Sequence, residues 1–224
     1  NNINQTDVLG DGTVNYDSET GVLSLTNVDI DGGTDNYGIF AYVPFTMALT
    51  SENTVKGTHG LYLTDQTTVN GTGSLYCVGD MGIYSSGPGI TIEGGIHVKA
   101  EGTTAFGMGR KNASAGGITV RGKETIVEMK GTQGTYDFND LTLEDDLIIG
   151  IPQGAYFKYG SIVDADGSPV KGQWVIIAQQ DYITGAEHIP GLVLKEENIY
   201  NVAGQRVSKD YKGIIISNGK KLIK

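Results

Sequence analysis

Cysteine, basic side chains and long apolar runs are all scarce in this chain of 224 residues. The single cysteine, Cys77, leaves no internal disulfide framework and no cysteine-based zinc site. Only 16 Lys and Arg stand against 26 Asp and Glu, a net charge of −10. That balance argues against a nucleic-acid partner, whose phosphates need clustered cations. No stretch approaches the roughly 18 consecutive apolar residues of a transmembrane segment. The chain opens at Asn1 without a charged and apolar leader, which fits a mature exported protein and a cytosolic one alike.

Glycine is abundant, with 34 residues beside 12 tyrosines. A composition rich in Gly, Thr, Asn and Asp, without long helical patterns, favours an exported β-protein. Its order lies in a repeat. Six segments carry an apolar–small polar–apolar triplet: Leu23-Ser24-Leu25, Met47-Ala48-Leu49, Thr67-Thr68-Val69, Ile90-Thr91-Ile92, Ile118-Thr119-Val120 and Leu141-Thr142-Leu143. Their central residues lie 24, 20, 23, 28 and 23 apart. A second marker keeps step at intervals of 22, 22 and 23: Gly38-Ile39, Gly60-Leu61, Gly82-Ile83 and Ala105-Phe106. Between the markers lies another short strand that often closes on glycine, as in Leu75 to Gly79 and Val127 to Gly131.

Three short strands and their bends leave no room for a helix in the repeat. Roughly 22 residues at about 3.3 Å each give a contour of about 70 Å, enough for one triangular coil. The expectation is an all-β chain, a right-handed parallel β-helix of about six rungs of 20–28 residues with a small C-terminal β tail. A sandwich would show a hairpin about every 8–12 residues. Such signals occur only at Tyr16 to Val22 and at Asp166-Gly167. A propeller blade needs about 40 residues, nearly twice the period.

Side chains alternate along a strand, so the middle residue of each triplet faces outward. That column reads Ser24, Ala48, Thr68, Thr91, Thr119, Thr142 and holds no strong acid, base or metal ligand. Two residues on, the column is Thr26, Thr50, Asn70, Glu93, Arg121, Glu144, whose last three alternate in sign as neighbouring rungs prefer. Glu128 beside Lys99 and Lys130 beside Glu101 continue the pattern on a second face as solvated ladder pairs. On the third face Ile39, Leu61, Ile83 and Phe106 are expected to point inward, which turns Phe40, Tyr62 and Tyr84 outward on successive rungs. Exposed rings can stack on the apolar faces of sugars while Tyr hydroxyls hydrogen-bond them. Stacked rings also stabilise a solenoid that binds nothing. The longest repeat contains Gly109 to Gly117, read as a solvated excursion from one corner.

Motifs of known chemistry are missing. His59, His97 and His188 share no metal-binding spacing, and there is no GxSxG elbow, P-loop or dinucleotide fingerprint. Cys77 takes an inward strand position and reads as a small buried hydrophobe. Asp29-Ile30-Asp31-Gly32 matches the first half of a calcium loop, without its third acidic position or distant Glu. Asp29 and Asp31 share a face with Asp35 nearby, and these three are the candidate ligands for calcium, the one cofactor considered. Asp164-Ala165-Asp166-Gly167 has the same half-motif and reads better as a hairpin turn between Ile162 and Val170. Polysaccharide lyases and hydrolases also use β-helices, and need a basic residue near calcium-bound carboxylates or two spaced carboxyls. Asp35, Glu93, Lys99, Arg110 and Arg121 form the pool for such roles. Their spacing selects no set, and no catalytic residue is assigned.

After Tyr156 the period fades. Gly172 to Ala178 reads as a closing strand, with Trp174 expected to cover the open end of the core. Residues 181–197 read as a connector. Residues 198–224 carry short strands separated by Gly204, Lys212-Gly213 and Asn218-Gly219. The pattern Ile199-Tyr200-Asn201, Gly204-Gln205-Arg206-Val207, Lys212-Gly213-Ile214 and Asn218-Gly219-Lys220-Lys221 closely resembles the C-terminal sorting-type tails of exported proteins from gut anaerobes with a type IX secretion system. The resemblance implies export to the cell surface or medium. Val8 to Asp17, Thr20 to Ile30 and Glu52-Asn53-Thr54-Val55, followed by the Gly-Ile corners, resemble gut-bacterial β-helix proteins described as carbohydrate-binding or adhesin-like. That likeness spans residues 8–150 and supplies rungs, with no binding residue carried over.

The organisation expected is an N-terminal cap over 1–21, a β-helix over 22–180, the connector, and the tail. The function expected is a secreted or cell-surface binding or adhesion module. Glycans are the favoured ligands, and Phe40, Tyr62 and Tyr84 the candidate site. A polysaccharide-degrading enzyme and a structural or protein-binding spacer, partnered by host or bacterial surface proteins, are the alternatives.

Overall fold

Short runs in which Val, Ile and Leu alternate with Thr, Ser and Lys bury one side of a strand, and the Gly and Asx residues between them turn the chain. In a computed structural model, which describes residues 7–110 and 116–184 and the strands Ile199–Asn201, Ile214–Ser217 and Lys220–Ile223, these runs wind three to a turn into a parallel β-solenoid. The first face carries Val22–Thr26, Phe45–Thr50, Thr67–Gly71, Ile90–Ile92, Ile118–Val120 and Leu141–Leu143. The second carries Asp29–Asp31, Glu52–Lys56, Ser74–Gly79, His97–Gly102 and Ile126–Gly131. The third carries Ile39–Ala41, His59–Leu63, Met81–Ser85, Phe106–Gly109 and Gly134–Asp137. This makes five complete turns with a sixth strand on the first face, where the triplets predicted about six full rungs.

Inward side chains stack in columns. Met47, Val69, Ile92 and Val120 fill the first face, Val55, Cys77, Ala100 and Met129 the second, and Leu61, Ile83 and Met108 the third. Cys77 sits fully buried between Val55 and Ala100 of the adjacent rungs, and burial pushes its thiol well above the ordinary value. Asn53 is the polar exception, 2% exposed at the corner between the first and second faces. Its Oδ1 accepts the Val28 N–H at 3.1 Å, and its Nδ2 donates to the carbonyls of Thr50, Ser51 and Ser74.

Two registers differ from the sequence reading. Thr68 lies beside Thr46, and Ala48 beside Asn70, so the threonine column is Thr46, Thr68, Thr91, Thr119 and Thr142, while Ser24 and Ala48 belong to the neighbouring column. On the third face Ile83 pairs with Met108, which makes Gly107-Met108 the fourth member of the glycine marker in place of Ala105-Phe106. Met108 is fully buried, and Phe106 packs outside the core against Gly109 and Gly134. Both shifts are by two residues, which preserves the alternation of inward and outward side chains.

The ends are closed by antiparallel pieces. Val14–Asp17 forms a hairpin with Val22–Thr26 at the start. At the finish Val175–Gln179 runs antiparallel between Ile126–Gly131 and Leu147–Ile151, which is the closing strand expected around Trp174. Trp174 itself does not cover the core. It lies half-buried on the outer side of the second face, its ring 4.2 Å from the Lys99 ammonium and 5.5 Å from that of Lys130. The core end is plugged by Tyr136, Phe138 and Phe157, with ring centroids 5.1 and 5.7 Å apart along the trio. Tyr156–Lys158 and Ser161–Val163 add a small hairpin there. The turn expected at Asp166-Gly167 is present, its N–H groups drawn onto Asp164 and Val170 N–H bonded to the Ile162 carbonyl. The chain divides into two compact units, Asn1–Ile183 and Thr184–Lys224. The second contains a three-stranded antiparallel sheet within the predicted tail. Residues 111–115 of the predicted excursion and 185–197 of the predicted connector lie outside the described residues.

Candidate functional site: an aromatic surface on the third face

The first four rungs carry a glycine where they enter the third face, Gly38, Gly60, Gly82 and Gly107, and the packing there dictates glycine. A Cβ on Gly60 would lie 2.6 Å from the Gly82 carbonyl oxygen and 2.8 Å from Cys77 Cβ. The strands that follow are in register, with Phe40 beside Tyr62 and Tyr62 beside Tyr84. The expected column therefore forms, with ring centroids 5.3 Å apart for Phe40 and Tyr62 and 4.5 Å for Tyr62 and Tyr84.

Its members differ in access. Phe40 is 51% exposed and Tyr62 partly exposed, whereas Tyr84 is only 6% exposed, with the rings of Tyr62 and His59 packed on it. Tyr84 thus supports the surface from beneath. Three residues absent from the sequence-based site complete it: Tyr37, Tyr42 and His59. The Tyr37 ring lies 4.5 Å from Tyr62 and 5.7 Å from Phe40, and Tyr42 lies 5.9 Å from Phe40. The signal for Tyr37 and His59 was their place immediately before corner glycines, a column that continues to Met81. Tyr42 follows Phe40 by two, on the same side of an extended chain.

His59 is wedged among Tyr37, Tyr62 and Tyr84, and its Nδ1 is buried without a hydrogen-bond partner. Burial holds its pKa below the ordinary imidazole value, against the opposing pull of Asp80. The exposed result is a sheet of neutral ring faces and phenol hydroxyls, able to hold the apolar face of a sugar ring and bond its hydroxyls.

The other candidate residues do not converge. Asp29 Oδ1 stands 3.7 Å from Lys56 Nζ, Asp31 Oδ1 accepts the Gly33 N–H at 2.8 Å, and Asp35 is exposed in the following bend. Among the described residues no group of three or more His, Cys, Asp or Glu is placed to hold a metal ion. The charged residues of the outer faces pair from rung to rung. Arg121 bonds Glu93 at 2.5 Å, Lys99 stands 3.5 Å from Glu128, and Lys130 3.1 Å from Glu101, as the sequence predicted. His97 also bonds Glu128, at 2.9 Å, and Tyr76 donates to Glu101. Those hydrogen bonds, from His97 and from Tyr76, are the main reason that Glu128 and Glu101 stay below the usual carboxylate range. Burial, reinforced by Glu101, pushes the Tyr76 phenol up to about 12. Arg110 is buried at another corner and donates to the Gly116 carbonyl at 2.8 Å. Of the five candidates for catalytic roles, Glu93 and Arg121 line one open hollow with Asn70 and Asp145, while Asp35, Lys99 and Arg110 lie elsewhere on the coil. Compared with known protein families, with curated proteins and with solved structures, the chain matches none.

Proposed function

We propose that this protein is a non-catalytic surface binding module that holds glycans on the aromatic face formed by Tyr37, Phe40, Tyr42 and Tyr62. The observation that carries the reading is the continuity of those exposed rings across the first two rungs of the third face. The rung-to-rung pairing of acids with bases on the other faces supports a binding role over a catalytic one, because it commits those side chains to one another. The resemblance of the terminal segment to sorting-type tails supports a place outside the cell.

A glycan array, followed by retention on plant and mucin polysaccharides with calcium or with a chelator, tests the reading. The parent chain is expected to be retained on at least one glycan, and Phe40→Ala with Tyr62→Ala to lose about tenfold or more in affinity at unchanged thermal stability. Unchanged retention in the double variant would sink the aromatic site. Retention abolished by chelation would instead bring Asp29, Asp31 and Asp35 forward as a calcium-assisted site.

A further inference from the structure

The solenoid starts and finishes differently. At the finish an antiparallel strand covers the second face's edge and aromatic rings plug the core. At the start only the first face is covered, by Val14–Asp17, while Asp29–Asp31 and Ile39–Ala41 are the terminal strands of their sheets. Among the described residues nothing pairs with the outer edges of those two strands. Gly38 N–H donates inward to the His59 carbonyl, so the alternation of a parallel ladder turns the N–H and C=O of Ile39 to the free side. Beside this edge the core opens into a cavity of about 480 Å³, lined by Val8, Leu23, Ile30, Ile39 and Ala41 and rimmed by Phe40 and Tyr42.

The surroundings are predominantly acidic, with Lys56 set beside Asp29 at 3.7 Å. Eight carboxylates and no Lys or Arg precede Lys56. Three cavity-lining residues have acidic neighbours in sequence: Val8 follows Asp7, Tyr16 precedes Asp17, and Ile30 stands between Asp29 and Asp31. A second copy offering the same end would set acid against acid, whereas a cationic segment meets complementary charge.

We propose that this end of the solenoid docks an extended cationic peptide segment of a partner protein. The segment adds a strand to the edge of Ile39–Ala41, places an apolar side chain in the cavity, and sets Lys or Arg against the acidic rim and the rings of Phe40 and Tyr42. The edge supplies main-chain hydrogen bonds, the cavity anchors an apolar side chain, and the carboxylates select the sign of the ligand. The proposal does not rest on glycan binding, although Phe40 and Tyr42 border both the cavity and the ring surface.

Fluorescence anisotropy on the full chain with two labelled peptides, Lys-Ile-Lys-Val-Lys-Ile and Glu-Ile-Glu-Val-Glu-Ile, tests it. The lysine peptide is expected to bind, with an affinity that falls as salt rises, and the glutamate peptide to bind at least about tenfold more weakly. Ala41→Phe, which fills the cavity from the edge strand, is expected to remove at least about tenfold of the lysine-peptide affinity. Should that variant fail to fold, Asp31→Lys with Asp35→Lys, both exposed, carries the same expectation. Equal binding of the two peptides, or binding by neither, overturns the proposal. A dimer in light scattering that the lysine peptide does not dissociate assigns this end to a second copy and overturns it too.

Discussion

Asn53 shows what a corner of this solenoid asks of a side chain. The backbone leaves the strand direction there, so some amides and carbonyls lose their ladder partners while remaining out of reach of water. One carboxamide supplies an acceptor to Val28 and donors to three carbonyls, joining the first three rungs. Asn53→Ala is expected to cost about 2–3 kcal/mol, because the Val28 N–H is left buried and unpaired. Urea unfolding checks this, and a loss under about 0.5 kcal/mol would mean that water replaces the side chain. His59 makes a different demand. In the unfolded chain its imidazole takes a proton near pH 6.5, about the ordinary value, and in the folded chain burial lowers that point. Between the two values the unfolded state binds more protons, so acidification favours unfolding. The stabilising contribution is complete above about pH 6.5 and is lost as pH falls through the folded value. Urea midpoints measured from pH 7.5 downward should therefore decline below about pH 6.5 in the parent, and His59→Phe, which keeps a ring but does not titrate, should flatten that window. An identical profile in the variant would place the titration elsewhere.

Within an element, what decides the structure is how closely one rung approaches the next. The glycine column Gly38, Gly60, Gly82 and Gly107 marks a close approach of this kind, and a Cβ on any of them would sit 2.5–2.7 Å from its nearest neighbour atom. Gly60→Ala is expected to destabilise by at least about 1–3 kcal/mol, since the clash at 2.6 Å is with backbone that cannot rotate away. A thermal midpoint equal to that of the parent would show that the corner can open. The column was visible in the sequence because its period is fixed by the contour of the coil, and so were the paired charges Lys99–Glu128 and Lys130–Glu101. Phe106 was misplaced because the third face is entered two residues later in the fourth turn, at Gly107, and a shift of two leaves the alternating pattern unchanged. Ala48 was misplaced for the same reason. The closing strand was legible as a strand, but its insertion between Ile126–Gly131 and Leu147–Ile151 is a pairing across distant sequence that no period announces. Trp174 followed that strand onto the outer face, where its ring faces the ammonium groups of Lys99 and Lys130. Of the candidate site, Phe40 and Tyr62 were legible from alternation alone. Tyr37 and His59 were not, because the residue before a bend has no fixed side until the bend itself is known.

Across the whole first unit, stability is a sum over neighbouring turns, and each turn is worth what its two neighbours let it bury. A rung in the interior is sandwiched, while the first rung has a partner on one side and the open cavity on the other. Leu61 and Ile30 are aliphatic residues of equal carbon number that sample these two situations. Leu61 is fully buried, in register between Ile39 of the preceding turn and Ile83 of the following one. Ile30 is paired only with Val55 on one side and lines the cavity on the other. Leu61→Ala removes atoms packed on every side and leaves a void, for an expected cost of about 2–5 kcal/mol. Ile30→Ala merely enlarges a cavity that already exists, forfeits fewer contacts, and is expected to cost less than about half as much. Denaturant unfolding of the two variants gives the ratio directly. Equal losses would mean that the mouth of the solenoid is as tightly packed in solution as its middle. The ratio expected here would instead leave the first turn as the weakest layer, and strand addition at that end should then stabilise it more than any other turn.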